Sequence, residues 1–232
     1  MRLDVKIQSS RGWLDYELRC FSESLAEGAR ILDAGSGDQR YASLFSRNLY
    51  ESADFESVDK PYAKSTYVCD LSSIPVEDGR FDAIIFTQVM EHLPEPRLVV
   101  KELHRVLKPG GKLFTTAPLW YQEHEVPYDF YRYTQYSIRY IFAAAGFRID
   151  DLRWLEGYMG SVAHQLRLMK KHLPRRSKDF GGGLHGLLAK IAFAMFRFVI
   201  PALYRFSNVS DSRLRYTKGG LPINYLAIMT KI

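Results

Sequence analysis

Two rhythms of apolar and polar positions alternate along the chain. Short runs of strand length, rich in aliphatic and aromatic residues, recur at Ala29-Arg30-Ile31-Leu32, Thr66-Tyr67-Val68-Cys69, Phe81–Thr87, Lys112–Thr116, Phe147–Trp154 and Ile223–Met229. A further strand is predicted over Glu51–Asp59. Between them, residues 97–107 set Leu98, Val99, Leu103, Val106 and Leu107 at helical spacing, and Lys108-Pro109-Gly110-Gly111 stops that helix. Ile138, Ile141, Phe142 and Ala145 form a second helical face between an N-cap at Thr134 and Gly146, and residues 11–27 form a third around Trp13, Leu14, Leu18, Phe21 and Leu25. Strands that alternate with helices predict an α/β fold with a mainly parallel sheet.

The chemistry gathers where strands end. Asp33-Ala34-Gly35-Ser36-Gly37 follows the first strand directly, and glycine at 35 and 37 lets the backbone turn sharply and press against a ligand. Such a turn is common and carries little alone. Acidic residues after the next strands add weight. Asp59 is expected to hold ribose hydroxyls, with a solvated strand-end carboxylate as the plain alternative, and Asp70 is expected beside an adenine. Phe81–Thr87 empties into Gln88-Val89-Met90-Glu91-His92-Leu93 on the same edge of the sheet.

The motifs ILDAGSGD, Val58-Asp59, Cys69-Asp70-Leu71, FDAIIFTQVMEHL and RVLKPGGKL, in this order over residues 29–117, resemble the class I S-adenosylmethionine-dependent methyltransferases, specifically the methyltransferase type 11 family. Gln39 stands where the usual third glycine of the motif would be. The dinucleotide fingerprint fits less well, because the glycine it needs three residues after Gly37 is Arg40. The resemblance implies a Rossmann-like, seven-stranded, mainly parallel sheet flanked by helices, with the last strand antiparallel. It also implies S-adenosyl-L-methionine as cofactor and no metal. Asp33 and the Gly35-Ser36-Gly37 backbone would flank the methionine part, and Asp59 the ribose. Asp70 and Leu71 would edge the adenine, Gln88 would offer it a backbone carbonyl, and Val89 would form an apolar wall. The helix over 11–27 is expected to cover the cofactor side.

Methyl transfer asks the protein to align an acceptor and, for a hydroxyl, to remove its proton. The stretch Pro118–Thr134 is too polar and irregular for core, and it resembles an H-x-x-P-x-D-F-Y-R-Y-T pattern found in a subset of these enzymes that is linked with cell-surface polysaccharide or lipid modification. His124 is the expected general base, oriented by Glu123, Glu125 or Asp129, with Arg132 as a clamp on the acceptor and His92 as the second choice. The plain alternative is that Asp129 and Arg132 pair to brace the loop while His124 is structural.

Composition changes the picture in one place. The net charge is +6, yet twelve Lys or Arg face only Asp179 and Asp211 between His164 and Lys218, a local net of +10. That excess lies in a helical, basic insertion over 156–222, between the last two strands of what reads as a single domain over 1–232. Within it, Leu184–Phe206 is an apolar helix interrupted by Lys190, Arg197 and Arg205. Its uncharged runs are shorter than a bilayer crossing needs, so it reads as a peripheral membrane helix, a cap over the sheet or a dimer contact. No nucleic-acid recognition motif accompanies the charge. Cys20 and Cys69 lack metal or disulfide spacing, and no cleavable leader is apparent, which together predict a cytoplasmic protein, peripheral on the inner face of the membrane if that helix meets lipid.

Two function classes follow: a methyltransferase acting on a sugar, a lipid-linked glycan, a quinone-like lipid or another small molecule, or a non-catalytic adenosylmethionine-binding module that docks a partner through the insertion.

Overall fold

The computed structural model describes residues 10–56, 63–217 and 219–232. Two compact units emerge: Leu14–Leu155 with Ile223–Ile232, and Glu156–Pro222 with the chain up to Trp13.

The first unit is built on one seven-stranded sheet. Its strands are β1 (Arg30–Ala34), β2 (Leu49–Asp54), β3 (Tyr67–Val68), β4 (Phe81–Thr87), β5 (Leu107–Pro118), β6 (Phe147–Trp154) and β7 (Asn224–Lys231). They lie in the order β3-β2-β1-β4-β5-β7-β6. The pairs from β3 through β5 are parallel, whereas β7 runs antiparallel to both β5 and β6. The expected mainly parallel sheet with an antiparallel last strand is what the chain forms.

Burial explains the strand sequences. In β4, Phe81, Ala83, Ile84, Ile85 and Phe86 are all fully buried, as an interior strand covered on both faces requires. Helix α1 (Ser10–Ser24) enters this unit at Leu14 and buries Leu14, Leu18 and Phe21, with the Phe21 and Phe114 rings 5.3 Å apart. Helix α2 (Pro96–Val106) starts with proline in its first turn, where the missing N–H costs nothing, and buries Val99, Val100, Leu103 and Val106. It stops one residue sooner than the periodicity predicts, and Leu107 already pairs with Phe81 as the first residue of β5. The Lys231 ammonium donates to the His104 and Leu107 carbonyls at 2.6 and 2.7 Å, which satisfies backbone groups at that helix end. Helix α3 (Gln135–Ala144) begins as read: the Ser137 amide donates to Thr134 Oγ1 at 3.2 Å.

One strand boundary is corrected. β2 ends at Asp54, not Asp59, because its ladder with β1 runs from Leu49 to Ala53 and that with β3 covers only Ala53 and Asp54. Asp59 itself lies outside the described residues.

The second unit is helical. It contains α4 (Tyr158–His172) and α5 (Gly183–Asp211), the latter 29 residues long and reaching beyond the 184–206 read from sequence. By length and composition α5 is long and apolar enough to cross a membrane, so counting uncharged runs understated it. Asp211 organises this unit. Its carboxylate accepts from Trp13 Nε1 at 3.0 Å and from the Gly157 and Gly160 amides at 3.2 and 2.8 Å. A Cβ at either glycine would stand within 2.6 Å of it, which is why small residues occupy both positions.

Candidate active site

Strands β1 and β4 are sheet neighbours, yet the chain proceeds from β1 outward to β2 and from β4 outward to β5. That reversal opens a crevice beyond their carboxyl ends, the usual ligand position in open α/β sheets. A cavity of about 420 Å³ lies there, lined by the turn after β1, the ends of β2 and β3, and the loops after β4 and β5.

The turn after β1 is shaped by backbone. Gly35 has φ +77°, and a Cβ there would meet Val89 Cγ2 at 2.4 Å. Gly37 has φ +51°, and its amide donates to Asp54 Oδ2 at 2.8 Å. Gln39, in the third-glycine position, keeps a left-handed backbone with φ +53°. Its side-chain amide compensates by donating to Ser52 Oγ at 3.1 Å and to the Lys64 carbonyl at 2.8 Å. The glycine conformation thus survives the loss of glycine, held by a side chain that spans to β2.

Asp33 is buried and accepts from the Tyr50 hydroxyl. Burial pushes its carboxyl up to about 7, against the lowering effect of Tyr50 and with the help of Asp54 and Asp38. Asp54, Asp70, Leu71, Gln88 and Val89 all line the cavity together with Gly35, whereas Asp33, Ser36 and Gly37 are not among its lining residues. Asp54 was not singled out from sequence. It lies 17 residues after Gly37, and the strand-ending sequence Ala53-Asp54-Phe55 is the signal that would have found it. Gln88 adopts φ +56° and ties its side chain to Thr116 Oγ1 at 3.0 Å, fixing the loop after β4 to β5. No residue of α1 lines this cavity, so the cover expected from that helix is not formed here among the described residues.

The loop after β5 straps onto the loop after β4. The Phe130 and Tyr131 amides donate to the Glu91 carbonyl at 2.8 and 3.3 Å, and the Tyr133 hydroxyl donates to the Met90 carbonyl at 2.9 Å. Within the strap, Arg132 makes two parallel bonds to Asp129, at 2.6 and 2.8 Å. Its other donations reach the Tyr121, Gln122 and Tyr131 carbonyls, so all five N–H donors are engaged. Asp129 also accepts from the His124 amide at 2.9 Å, and the adjacent guanidinium holds its carboxyl well below the usual carboxylate range. The donors that an acceptor clamp at Arg132 would offer are thus engaged within the strap, where Arg132 and Asp129 brace the loop together.

Glu91, His92 and His124 come together beside the cavity. His92 lines it, and burial holds its imidazole below its ordinary value and hence neutral near pH 7. His92 Nδ1 lies within hydrogen-bond reach of the Tyr128 carbonyl, and Nε2 stands 3.9 Å from Glu91 Oε1. The His124 ring meets that of His92 edge-on, with centroids 4.7 Å apart, and is not itself part of the cavity wall. Glu91 is fully buried, neither carboxylate oxygen has a hydrogen-bond partner, and burial pushes the group up to about 8. The donor atoms of these three side chains lie within 4.8 Å of one another, so this is also where the described residues could group around a cation.

Residues 7–152 match the family profile described as "Methyltransferase domain". Among curated proteins, the chain is 29% identical over 132 residues to a tRNA (carboxymethyluridine(34)-5-O)-methyltransferase of Arabidopsis thaliana, a match covering 54% of this chain and 32% of that protein. It is 29% identical over 103 residues to a ubiquinone biosynthesis O-methyltransferase of Xanthomonas oryzae, covering 39% and 43%. The chain thus spans less than half the length of these relatives. Among solved structures, the [4+2]-cyclase SpnF aligns with a TM-score of 0.58 at 19% identity, over 99% of this chain and 85% of that one. A 1,6-didemethyltoxoflavin-N1-methyltransferase of Burkholderia thailandensis, solved with S-adenosylhomocysteine, aligns at 0.51 and 18% identity, over 64% and 72%. These likenesses concern the fold, and a cyclase among them shows that the fold alone does not choose the reaction. With the family profile spanning the glycine turn, the acidic strand ends and the loop after β4, the chain belongs to the class I S-adenosylmethionine-dependent methyltransferase family.

Proposed function

We propose that this protein methylates a hydroxyl oxygen on a sugar or lipid-linked glycan, using S-adenosylmethionine. The observation that carries the reading is one cavity with a glycine turn and strand-end carboxylates on one side and the half-buried imidazole of His92 on the other. When bound, the cofactor supplies a methyl group on a sulfonium, which leaves by in-line displacement.

The chain's own residues then have separable tasks. The Gly35-Ser36-Gly37 backbone, with Asp33 behind it, receives the methionine part, and the buried Asp33 carboxyl ionises more readily when an ammonium arrives. Asp54 takes the ribose role expected of Asp59, since it stands at the end of β2 on the cavity wall. Asp70 and Leu71 border the adenine, while the Gln88 carbonyl and Val89 close the same edge. His92, rather than His124, is placed to accept the acceptor's proton: it lines the cavity, and donation from Nδ1–H to Tyr128 leaves the Nε2 lone pair available. His124 packs against it edge-on.

A sugar or lipid-linked acceptor is supported by the loop pattern from His124 to Thr134 and by the basic insertion. A quinone-like acceptor is the second reading. It is favoured by the apolar wall of Leu93, Leu98, Val99 and Phe130 and by similarity to a protein named for ubiquinone biosynthesis.

The test is incubation with methyl-labelled S-adenosylmethionine and separated pools of lipid-linked glycans, soluble glycans and quinone precursors. Label in a glycan pool, lost in His92→Ala while cofactor affinity changes by less than about twofold, is the expected result. Label in the quinone pool selects the second reading. Cofactor binding without label in any pool would replace both with a binding module.

A further inference from the structure

Helix α5 carries two apolar stripes. Gly186, Phe193, Ile200 and Ser207 recur every seven residues and turn toward the unit's interior: Gly186, Ile200 and Ser207 are buried, and Phe193 stacks on Phe180 at 5.0 Å. A Cβ at Gly186 would meet the Ser177 carbonyl oxygen at 2.4 Å, so the helix is packed closely along this stripe. The second stripe, Leu184, Leu188, Ile191, Met195 and Phe198, advances by four and three residues in turn on the other side, with Phe206 two turns further on, and is solvent-exposed, with Phe198 at 89%. A soluble helix needs one apolar stripe to hold it in place. The second one requires an occupant.

Charge identifies it. At about 100° per residue, Lys190, Arg197 and Arg205 fall within an arc of about 80° that borders the exposed stripe. Arg197 is tied to the Leu173 and Pro174 carbonyls, while Lys190 and Arg205 are exposed. At the turn between α4 and α5, Lys170, Lys171, Arg175, Arg176 and Lys178 are exposed as well. Pairing with a second copy would bring together two insertions that each carry net +10 over 164–218, whereas an anionic lipid surface neutralises them. Basic residues spaced along the helix, with Arg197 at its middle, fit a helix lying in the headgroup region better than one crossing the hydrocarbon.

We infer that the exposed face of α5 is a docking surface for an anionic phospholipid bilayer, with the helix lying along the interface and the basic α4–α5 turn on the headgroups. This goes beyond the methyl-transfer reading and does not depend on it.

The test is flotation of the full chain with vesicles of phosphatidylcholine containing phosphatidylglycerol, compared with phosphatidylcholine alone. The protein is expected to float with the anionic vesicles and to lose about tenfold or more of that binding on neutral ones. Met195→Glu with Phe198→Glu should abolish flotation with an unchanged circular dichroism melt, because both side chains are exposed. Lys170→Glu with Lys171→Glu should weaken it and reduce its salt dependence. Equal flotation of wild type and the Met195/Phe198 variant overturns the inference. So does wild-type protein that stays off anionic vesicles while light scattering shows a dimer that the Met195/Phe198 variant dissociates, since the occupant would then be a second copy.

Discussion

A single methyl group added at Gly35 would stand 2.4 Å from Val89 Cγ2, so the turn after β1 and the loop after β4 are in contact across the mouth of the cavity. The same residue holds φ +77°, which an L side chain adopts only at a cost. Gly35→Ala should therefore push these two loops apart and weaken S-adenosylmethionine binding by about tenfold or more, close to 1.4 kcal/mol. Isothermal titration measures it, and an unchanged dissociation constant would show that the contact does not shape the pocket.

Asp54 and Asp59 give opposite expectations. If the carboxylate at the end of β2 holds the ribose, Asp54→Asn should weaken cofactor binding by about 1–3 kcal/mol, the cost of losing a charged hydrogen-bond acceptor. Asp59→Asn should change it by less than about twofold. The reverse ranking restores the assignment made from sequence. Asp54 also accepts the Gly37 and Glu56 amides, so a thermal melt of the unliganded variant separates loss of ligand contact from loss of turn structure.

The buried Glu91 predicts a pH dependence of stability. Its folded carboxyl holds a proton up to about pH 8, while an unfolded glutamate releases it near its ordinary value of 4.5. Between those values the folded state binds more protons, so this group's contribution is fully present below about 4.5 and is lost as pH rises toward 8. Melts of wild type and Glu91→Gln across pH 5 to 8.5 should show a smaller decline in the variant. Parallel curves would mean that Glu91 is ionised in the folded protein.

Arg132 is a brace whose five bonds a lysine cannot reproduce. Both Arg132→Lys and Arg132→Ala should speed amide hydrogen exchange over residues 121–131 and lower stability by about 1–3 kcal/mol. Cofactor affinity should change less than in Gly35→Ala. Restoration of wild-type exchange by lysine would show that charge alone suffices there.

In the helical unit, Asp211→Ala strands three donors, Trp13 Nε1 and the Gly157 and Gly160 amides. With about 1–3 kcal/mol for each buried group left unpaired, the loss should be among the largest of any single polar substitution in this unit. Denaturant unfolding followed by Trp fluorescence reads it.

How far the sequence could be read depended on whether local pattern or tertiary contact decided each feature. The run Phe81–Thr87 is apolar enough to be an interior strand in any context, and it appears with those bounds. Thr134 capping α3 is equally local. The place of Asp54 on the cavity wall is hidden in the sequence because Asp59 better matches the usual spacing from the glycines, whereas the length of β2 is set by its pairing with β1 from Leu49 to Ala53. Arg132 beside an aromatic loop suggested a clamp. Only the three-dimensional count of its donors shows that they are consumed internally. The orphaned carboxylate of Glu91 depends on what surrounds it, and no spacing rule encodes an absence of partners.

The placement of β7 between β5 and β6 sets an order of assembly. β6 finds its hydrogen-bonding neighbour only when Asn224–Lys231 has left the ribosome, 69 residues after Leu155. Until then β5 has an open edge and β6 has no place in the sheet, while the helices of the second unit are already synthesised. Long-range pairings of this kind form slowly, and unpaired strand edges invite association with other chains. During that interval the nascent protein exposes a strand edge together with the apolar face of α5, so a surface able to receive that helix during synthesis would favour folding.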